Sequence, residues 1–337
     1  SNMKKHWKKL SEKLVLKKPQ WYEEQKIDLR LGQRVDSVNA SESTVTLSNG
    51  DTLAYDKLLL ATGAHCFIPP FDGSQLDGVL TVRTVEDAQE LRERSLQGGP
   101  VIFVGGGLLG LEMAAAVGTF VSHVSVVEIA PWLLVRQLDK TGGEIIKSTL
   151  EEKGMQVHTG VSVSEILGEN SVRGVKLDNG TELEASTVVV SAGVRANVDL
   201  AKSAGCEINK GIVVNDHLET SVESIYAAGD CVEHRGRMYG IWSAAEAQGK
   251  VAGAVMAGQE ETYTGTVPSN RLKVTGVDVF SAGEFDSDGK FDSEVTKEDG
   301  VYRKLVRKEG KLIGAILIGD LSDQRALARE IAEGKGA

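Results

Sequence analysis

The stretch Val101-Ile102-Phe103-Val104-Gly105-Gly106-Gly107-Leu108-Leu109-Gly110 decides how this chain folds. Its first four residues form a short apolar run of the kind that is buried in a parallel sheet. The next six satisfy G-x-G-x-x-G, and residues 111–120 have helix-forming composition. A second strand is expected over residues 123–127, ending at Glu128. In this order each part has a physical task. Gly105 permits a tight turn, Gly107 lets the backbone approach a pyrophosphate, and Gly110 allows the helix to pack close to its strand. The helix start at Leu108 and Leu109 offers unsatisfied N–H groups and a partial positive charge to the phosphates. Glu128, about 20 residues past the loop, is placed to accept hydrogen bonds from ribose hydroxyls and to repel a 2′-phosphate. No arginine follows until Arg136. A complete dinucleotide-binding domain over residues 97–195 is therefore expected, with NADH preferred to NADPH; the plainer reading is a structural glycine turn. Glu112 is expected in the first helical turn, where a carboxylate suits the helix dipole whether or not it meets a ligand.

Outward from this core, 337 residues suffice for two or three domains. Hydrophobic residues at 41% and charged residues at 26% give the balance of a soluble globular protein. A net charge of −10 argues against nucleic-acid or anionic-membrane binding. Lys4, Lys5, Lys8, Lys9, Lys13, Lys17 and Lys18 nevertheless crowd the opening. They read as a solvated helix face, with a docking patch for an acidic partner as the alternative. Cys66, Cys206 and Cys231 lie far apart with no CxxC pair, which speaks against a disulfide scaffold or zinc ribbon. The six histidines show no ligand spacing, so no metal is expected. Residues 101–127 are apolar enough to imitate a membrane span, but Glu112, His123 and the glycines fit a strand-turn-helix-strand better. Ser1-Asn2 before Met3 reads as an expression remnant with no signal peptide after it, and a cytoplasmic location is expected.

Two segments resemble each other. The first runs from Glu23-Glu24 through Leu47-Ser48-Asn49-Gly50 to Leu58-Leu59-Leu60-Ala61-Thr62-Gly63-Ala64. The second runs from Glu151-Glu152 through Leu177-Asp178-Asn179-Gly180 to Val188-Val189-Val190-Ser191-Ala192-Gly193-Val194. Each reads as a helix end, a β-meander turning at Asn-Gly, and an apolar strand ending in a small-residue turn. Asn-Gly is expected to supply the positive-φ positions of a tight hairpin. The copies differ upstream: residues 101–150 hold a strand, glycine loop, helix and strand, whereas the polar opening before Glu23 holds no glycine loop. The first copy is thus expected to lack its β-α-β opening, by truncation or by loss.

Three motifs, Ala61-Thr62-Gly63-Ala64, the loop over residues 105–110, and Ile225-Tyr226-Ala227-Ala228-Gly229-Asp230, resemble those of the pyridine nucleotide-disulfide oxidoreductases. Arg136-Gln137-Leu138-Asp139 and Gly236-Arg237-Met238-Tyr239-Gly240-Ile241-Trp242 are similar to segments of the NADH–rubredoxin reductase and nitrite reductase large-subunit group. The resemblance implies an α/β FAD/NAD(P)-binding fold of two Rossmann-like units. In it, an FAD-type domain at 4–96 and 213–262, its first unit incomplete, is interrupted by an NAD domain at 97–212. A small α+β C-terminal interface domain follows at 263–337, with strands over 272–281, 302–307 and 312–318 and a helix over 322–333.

By the same resemblance, Ala61, Thr62 and Gly63 lie against FAD and Asp230 bonds its ribityl-phosphate region, while Gly193 joins Gly105, Gly107, Leu108, Leu109, Gly110 and Glu128 around NAD(H). The helix after Trp242, with Gln248-Gly249-Lys250, would point its N-terminus at the flavin pyrimidine. The group often has an acid before this Gln-Gly; here Ala247 stands there, and Glu246 is about 100° around the helix. The implied activity is an FAD-dependent NADH oxidoreductase passing hydride to flavin and electrons to a small carrier of rubredoxin type, possible as a homodimer. No catalytic acid, base or nucleophile is evident, and Cys66 is a minor redox candidate. The alternatives are a flavin-free NADH-binding module and an inactive reductase fragment.

Overall fold

A computed structural model describes residues 12–274, 276–286, 289–298 and 300–334; Lys4, Lys5, Lys8 and Lys9 of the lysine-rich opening lie outside them. The chain divides into two compact units. One comprises the residues through His65 together with Arg195–Thr266, the other Cys66–Val194 together with the residues from Val267 onward. These changeovers differ from the domain limits read from sequence, and local packing gives the reason. The strand Val79–Leu80 joins the same sheet as the glycine-loop strand, and within the first unit the helix Asp199–Ser203 packs on the strand Val35–Asn39.

In the second unit a five-stranded parallel sheet runs in the order Val79–Leu80, Thr187–Val190, Val101–Val104, Val124–Glu128, Gln156–Thr159. Thr187–Val190 and Val101–Val104 are buried at every position, as near-continuous apolar runs in a covered parallel sheet should be. Helices Val85–Ser95, Leu108–Val117 and Lys140–Glu152 follow their strands. Thr84 and Asp87 form a reciprocal capping box on the first, and Asp139 caps the third. The span-like segment is thus strand, helix and strand, and no helix among the described residues is long and apolar enough to cross a membrane.

The repeat is real down to individual hydrogen bonds. Both meanders are antiparallel, Val35–Asn39, Thr44–Leu47, Thr52–Ala54 in one unit and Val163–Gly168, Val172–Leu177, Glu182–Glu184 in the other. Leu47 N–H donates to the Asp51 carbonyl and Leu177 N–H to the Thr181 carbonyl, each at 2.8 Å. Gly50 and Gly180 close the turns at φ +88 and +86, while the asparagines keep negative φ. The turn is therefore the three-residue loop ending in a left-handed glycine, not the two-residue hairpin with two positive-φ positions. In the first unit, Leu58–Leu60 pairs in parallel with Ile225–Ala227, and Ile212–Val214 with Val232–His234. The helix Trp242–Met256 packs Ala252 into a core with Val38, Leu60, Ile212, Ile225 and Val232.

The C-terminal part of the second unit is an antiparallel sheet ordered Ser269–Val274, Val277–Gly283, Lys311–Ile318, Val301–Lys308, Asp292–Glu298, with the helix Gln324–Gly334. The expected single strand over 272–281 is in fact a hairpin, reversed with Gly276 at φ +95. Asp292–Glu298 was not foreseen, because every position of it is exposed and it has no apolar alternation. One face of this sheet (Leu272, Val274, Val279, Tyr302, Ile316, Ile318) shares a core with Leu111, Ala114, Leu133, Leu138 and Ile146 of the nucleotide-loop region.

Candidate dinucleotide site

The loop over residues 105–110 sits at the carboxyl end of Val101–Val104, beside the turn that follows Thr187–Val190, since Val190 is in register with Val104. Gly105, Gly106 and Gly110 are each required by a different close approach. Gly105 has φ +116, and a Cβ there would lie 2.3 Å from the Ser191 carbonyl oxygen. A Cβ on Gly106 would meet Leu133 Cδ2 at 2.5 Å, and one on Gly110 the Gly105 carbonyl at 2.2 Å. The last contact is the close helix–strand approach the sequence pattern implies. Gly107 is different. Its φ of −83 suits any residue, and no described atom lies within 4 Å of where its Cβ would be. Gly107 is the N-cap of Leu108–Val117 and, among the described residues, no side chain caps that helix. The protein itself does not need a glycine there; the open space above the free N–H groups is a cradle that a methyl would fill.

Glu128 ends the adjacent strand half-buried, with both carboxylate oxygens fixed by backbone. Oε2 accepts the Gly106 N–H at 2.6 Å and Oε1 the Ala130 N–H at 2.7 Å. Lone pairs remain on each oxygen for further donors. Leu109 is 57% exposed and Leu108 is half-buried against the core. Gly193, at φ +98, has open space about its Cβ position, and its carbonyl accepts the Phe67 N–H at 2.9 Å. Glu112 stands in the second helical turn, not the first, because the helix begins at Leu108. Desolvation raises its carboxyl above the usual range, although its side chain still reaches solvent.

A second cluster lies within the other unit. The register of Leu58–Leu60 with Ile225–Ala227 sets the turns Ala61-Thr62-Gly63 and Ala228-Gly229-Asp230 side by side at the carboxyl ends of parallel strands, where α/β sheets take ligands. Gly63 has φ +65 with nothing within 4 Å of its Cβ position among the described residues. Thr62 donates its hydroxyl to the Asn197 carbonyl at 2.6 Å and accepts at its own carbonyl from Asn197 Nδ2 at 2.8 Å. Gln248, buried in Trp242–Met256, accepts the Gly229 N–H at 2.8 Å. Glu246 pairs with Lys250 at 2.8 Å on the outer face of that helix. Cys66 is partly buried with its thiol toward the Val82 carbonyl, and Cys231 is fully buried. Sequence reading missed Asn197, and also Ala130, whose role is carried by a main-chain N–H that no residue type advertises.

Taken together, the fold and its two strand-end clusters define an FAD/NAD(P)-binding Rossmann-type protein with an antiparallel C-terminal domain. Residues 2–249 match the model of the pyridine nucleotide-disulphide oxidoreductases, and residues 268–335 match that of the rubredoxin NAD+ reductase C-terminal domain. The chain belongs to the pyridine nucleotide-disulphide oxidoreductase family, whose enzymes use FAD and NAD(P)H. The match begins at residue 2, so it gives the expectation of a missing lobe no support.

Among similar proteins, a nitrite reductase [NAD(P)H] from Bacillus subtilis is 40% identical over 310 residues, covering 91% of this chain and 38% of that protein. This chain therefore spans well under half of that relative. An NADH-rubredoxin oxidoreductase from Clostridium acetobutylicum is 30% identical over 322 residues, covering 96% of this chain and 81% of the other. The crystal structure of an FAD-dependent pyridine nucleotide-disulphide oxidoreductase from Desulfovibrio vulgaris superposes with a TM-score of 0.78 at 29% identity, covering 89% of this chain and 83% of that one.

Proposed function

We propose that the chain is an FAD-dependent NADH oxidoreductase that delivers electrons to a small carrier protein of rubredoxin type. The observation that carries this reading is Gly107, whose lack of a side chain is explained by no atom of the described residues and is explained by a pyrophosphate lying over the helix start. Gly105, Gly106 and Gly110 hold the loop in shape. The N–H groups of Leu108, Leu109 and Gly110 would donate to phosphate oxygens. Glu128, already anchored by two backbone donors, would accept from the ribose hydroxyls and oppose a 2′-phosphate by charge. Gly193 leaves backbone accessible beside the loop.

In the other unit, Thr62 and Gly63 would lie against flavin and Asp230 would bond its ribityl region. When bound, FAD supplies the redox chemistry, accepting two electrons from NADH and releasing them onward. The chain's own residues bind, orient and tune; hydride transfer asks no acid, base or nucleophile of them. The rubredoxin-type acceptor is supported by the C-terminal family match and by the relative that carries rubredoxin in its name.

Calorimetric titration with NADH and NADPH tests the site. Wild type is expected to favour NADH, and Glu128→Gln, which keeps one acceptor oxygen, to lose about tenfold of that preference. An unchanged preference would defeat the assignment of Glu128. A second reading, NADH binding without flavin, is favoured by one observation: the Thr62 hydroxyl and Gly229 N–H are already satisfied within the protein. A flavin absorption spectrum in protein supplied with FAD supports the oxidoreductase; a colourless protein that still binds NADH supports the second reading.

A further inference from the structure

Asp139 is 9% exposed, and three separate groups share its carboxylate. Oδ1 accepts the Gly142 N–H at 3.0 Å and so caps the helix Lys140–Glu152. Oδ2 accepts the Tyr302 hydroxyl at 2.7 Å and lies 3.1 Å from Lys304 Nζ. Tyr302 and Lys304 both belong to the strand Val301–Lys308 of the C-terminal sheet, and both are buried. Lys304 Nζ also donates to the Asp286 carbonyl at 3.3 Å. A buried ion pair of this kind is a poor way to add stability, because apolar residues of similar volume usually do as well. What it offers is a fixed geometry.

The neighbours of Asp139 show what is fixed. Residues 130–138 run from Glu128's anchor to Asp139 and underlie the glycine loop. Within them, Leu138 N–H donates to the Leu134 carbonyl at 2.8 Å, and Leu134 N–H donates to the Gly106 carbonyl at 3.0 Å. Leu134 does so at φ +56, a left-handed conformation a leucine rarely adopts unless its surroundings enforce it. Leu133 fills the space beside the Gly106 Cα. Gly106 then donates its own N–H to Glu128. A continuous set of contacts, all in one compact unit, leads from the C-terminal strand through Asp139 to the middle residue of the loop.

We propose that Asp139, held by Tyr302 and Lys304, is a positioning residue for NADH, through which the C-terminal sheet sets the glycine loop. The proposal rests on the reading of residues 105–110 and Glu128 as an NADH site. It also makes the coupling reciprocal: if the docked sheet strengthens nucleotide binding, bound nucleotide must strengthen docking of the sheet by the same factor.

The test uses the full chain and three variants. Asp139→Asn keeps the helix cap and removes the charge. Tyr302→Phe removes one hydroxyl, and Lys304→Arg preserves the cation. NADH affinity is followed by nucleotide fluorescence, folding by circular dichroism, and the strand Val301–Lys308 by hydrogen exchange with and without NADH. Asp139→Asn is expected to remain folded and bind NADH about tenfold more weakly, within the ordinary range of coupling between sites. Tyr302→Phe should weaken binding a few-fold and Lys304→Arg stay near wild type. NADH should slow exchange in Val301–Lys308 of wild type and lose that effect in Asp139→Asn. A cap that serves stability alone would lower the melting temperature while leaving affinity and the exchange response alone, and that result overturns the proposal. If Asp139→Asn does not fold, unchanged affinity in Tyr302→Phe with no exchange response in wild type overturns it equally. Wild type that binds no NADH removes the site assignment and this inference together; equal binding by all variants removes this inference only.

Discussion

At Gly107 and Gly105 the same added methyl group should have opposite consequences. Gly107→Ala meets no atom within 4 Å among the described residues, so stability should change by less than about 1 kcal/mol, while NADH affinity should drop tenfold or more. Gly105→Ala must hold φ +116 against the Ser191 carbonyl and should cost about 2 kcal/mol or more of stability. Chemical denaturation and NADH titration of the two variants separate these effects; equal affinity in Gly107→Ala and wild type would remove the phosphate cradle. The residues that sequence alone proposes for this site, Gly105, Gly107, Gly110 and Glu128, are those whose side-chain identity, or lack of one, would itself be the constraint. The residues it hid act through main-chain groups: Ala130 and Leu134 contribute N–H donors that almost any residue could supply. That also limits what an exchange at Glu128 can do. Glu128→Arg would remove the acceptor of two N–H groups as well as the charge, so acceptance of NADPH would come at the expense of loop order.

Among the elements, the paired meanders make a quantitative prediction. Gly50 and Gly180 occupy the same left-handed position with open space around them, so Gly50→Ala and Gly180→Ala should each cost about 1–2 kcal/mol by denaturant titration. A large difference between them would show that the copies are not equivalent at the turn. A second prediction concerns the turns after Ile212–Val214 and Val232–His234. The Arg235 guanidinium first, and His234 second, hold the Asp216 carboxyl at about 2, below its ordinary value. A depressed carboxylate stabilises the fold fully above its unfolded value of about 4 and loses that contribution as the pH falls toward 2. Asp216 is 40% exposed, so screening reduces the effect to about 1 kcal/mol. The gap in melting temperature between wild type and Asp216→Asn should be constant above about pH 4 and close by about pH 2. The meanders were legible because Asn-Gly and apolar alternation recur at one offset. The strand Asp292–Glu298 and the hairpin within 269–283 were not: a fully exposed strand has no alternation, and the apolar positions Leu272, Val274, Val277 and Val279 recur closely enough to conceal the reversal at Gly276.

For the whole molecule, NADH at 100 times its dissociation constant should stabilise the unit containing Cys66–Val194 by about 2.7 kcal/mol. Hydrogen exchange mapped along the chain should show that protection in the five-stranded parallel sheet and its helices, with the core of Ile212, Ile225 and Val232 little changed. Uniform protection of both units would contradict a site confined to one. Sequence made the α/β class and the repeat plain, but it did not show which surfaces are shared, since an apolar face does not name what covers it. Here the cover for Leu111, Ala114, Leu133 and Leu138 is the C-terminal sheet. Genetic dissection of the protein is constrained as a result. A shortened product stopping before Val267 would carry bare leucines and valines into solvent and should precipitate, whereas co-expressing the segment that begins there ought to restore a dispersed, assembled particle.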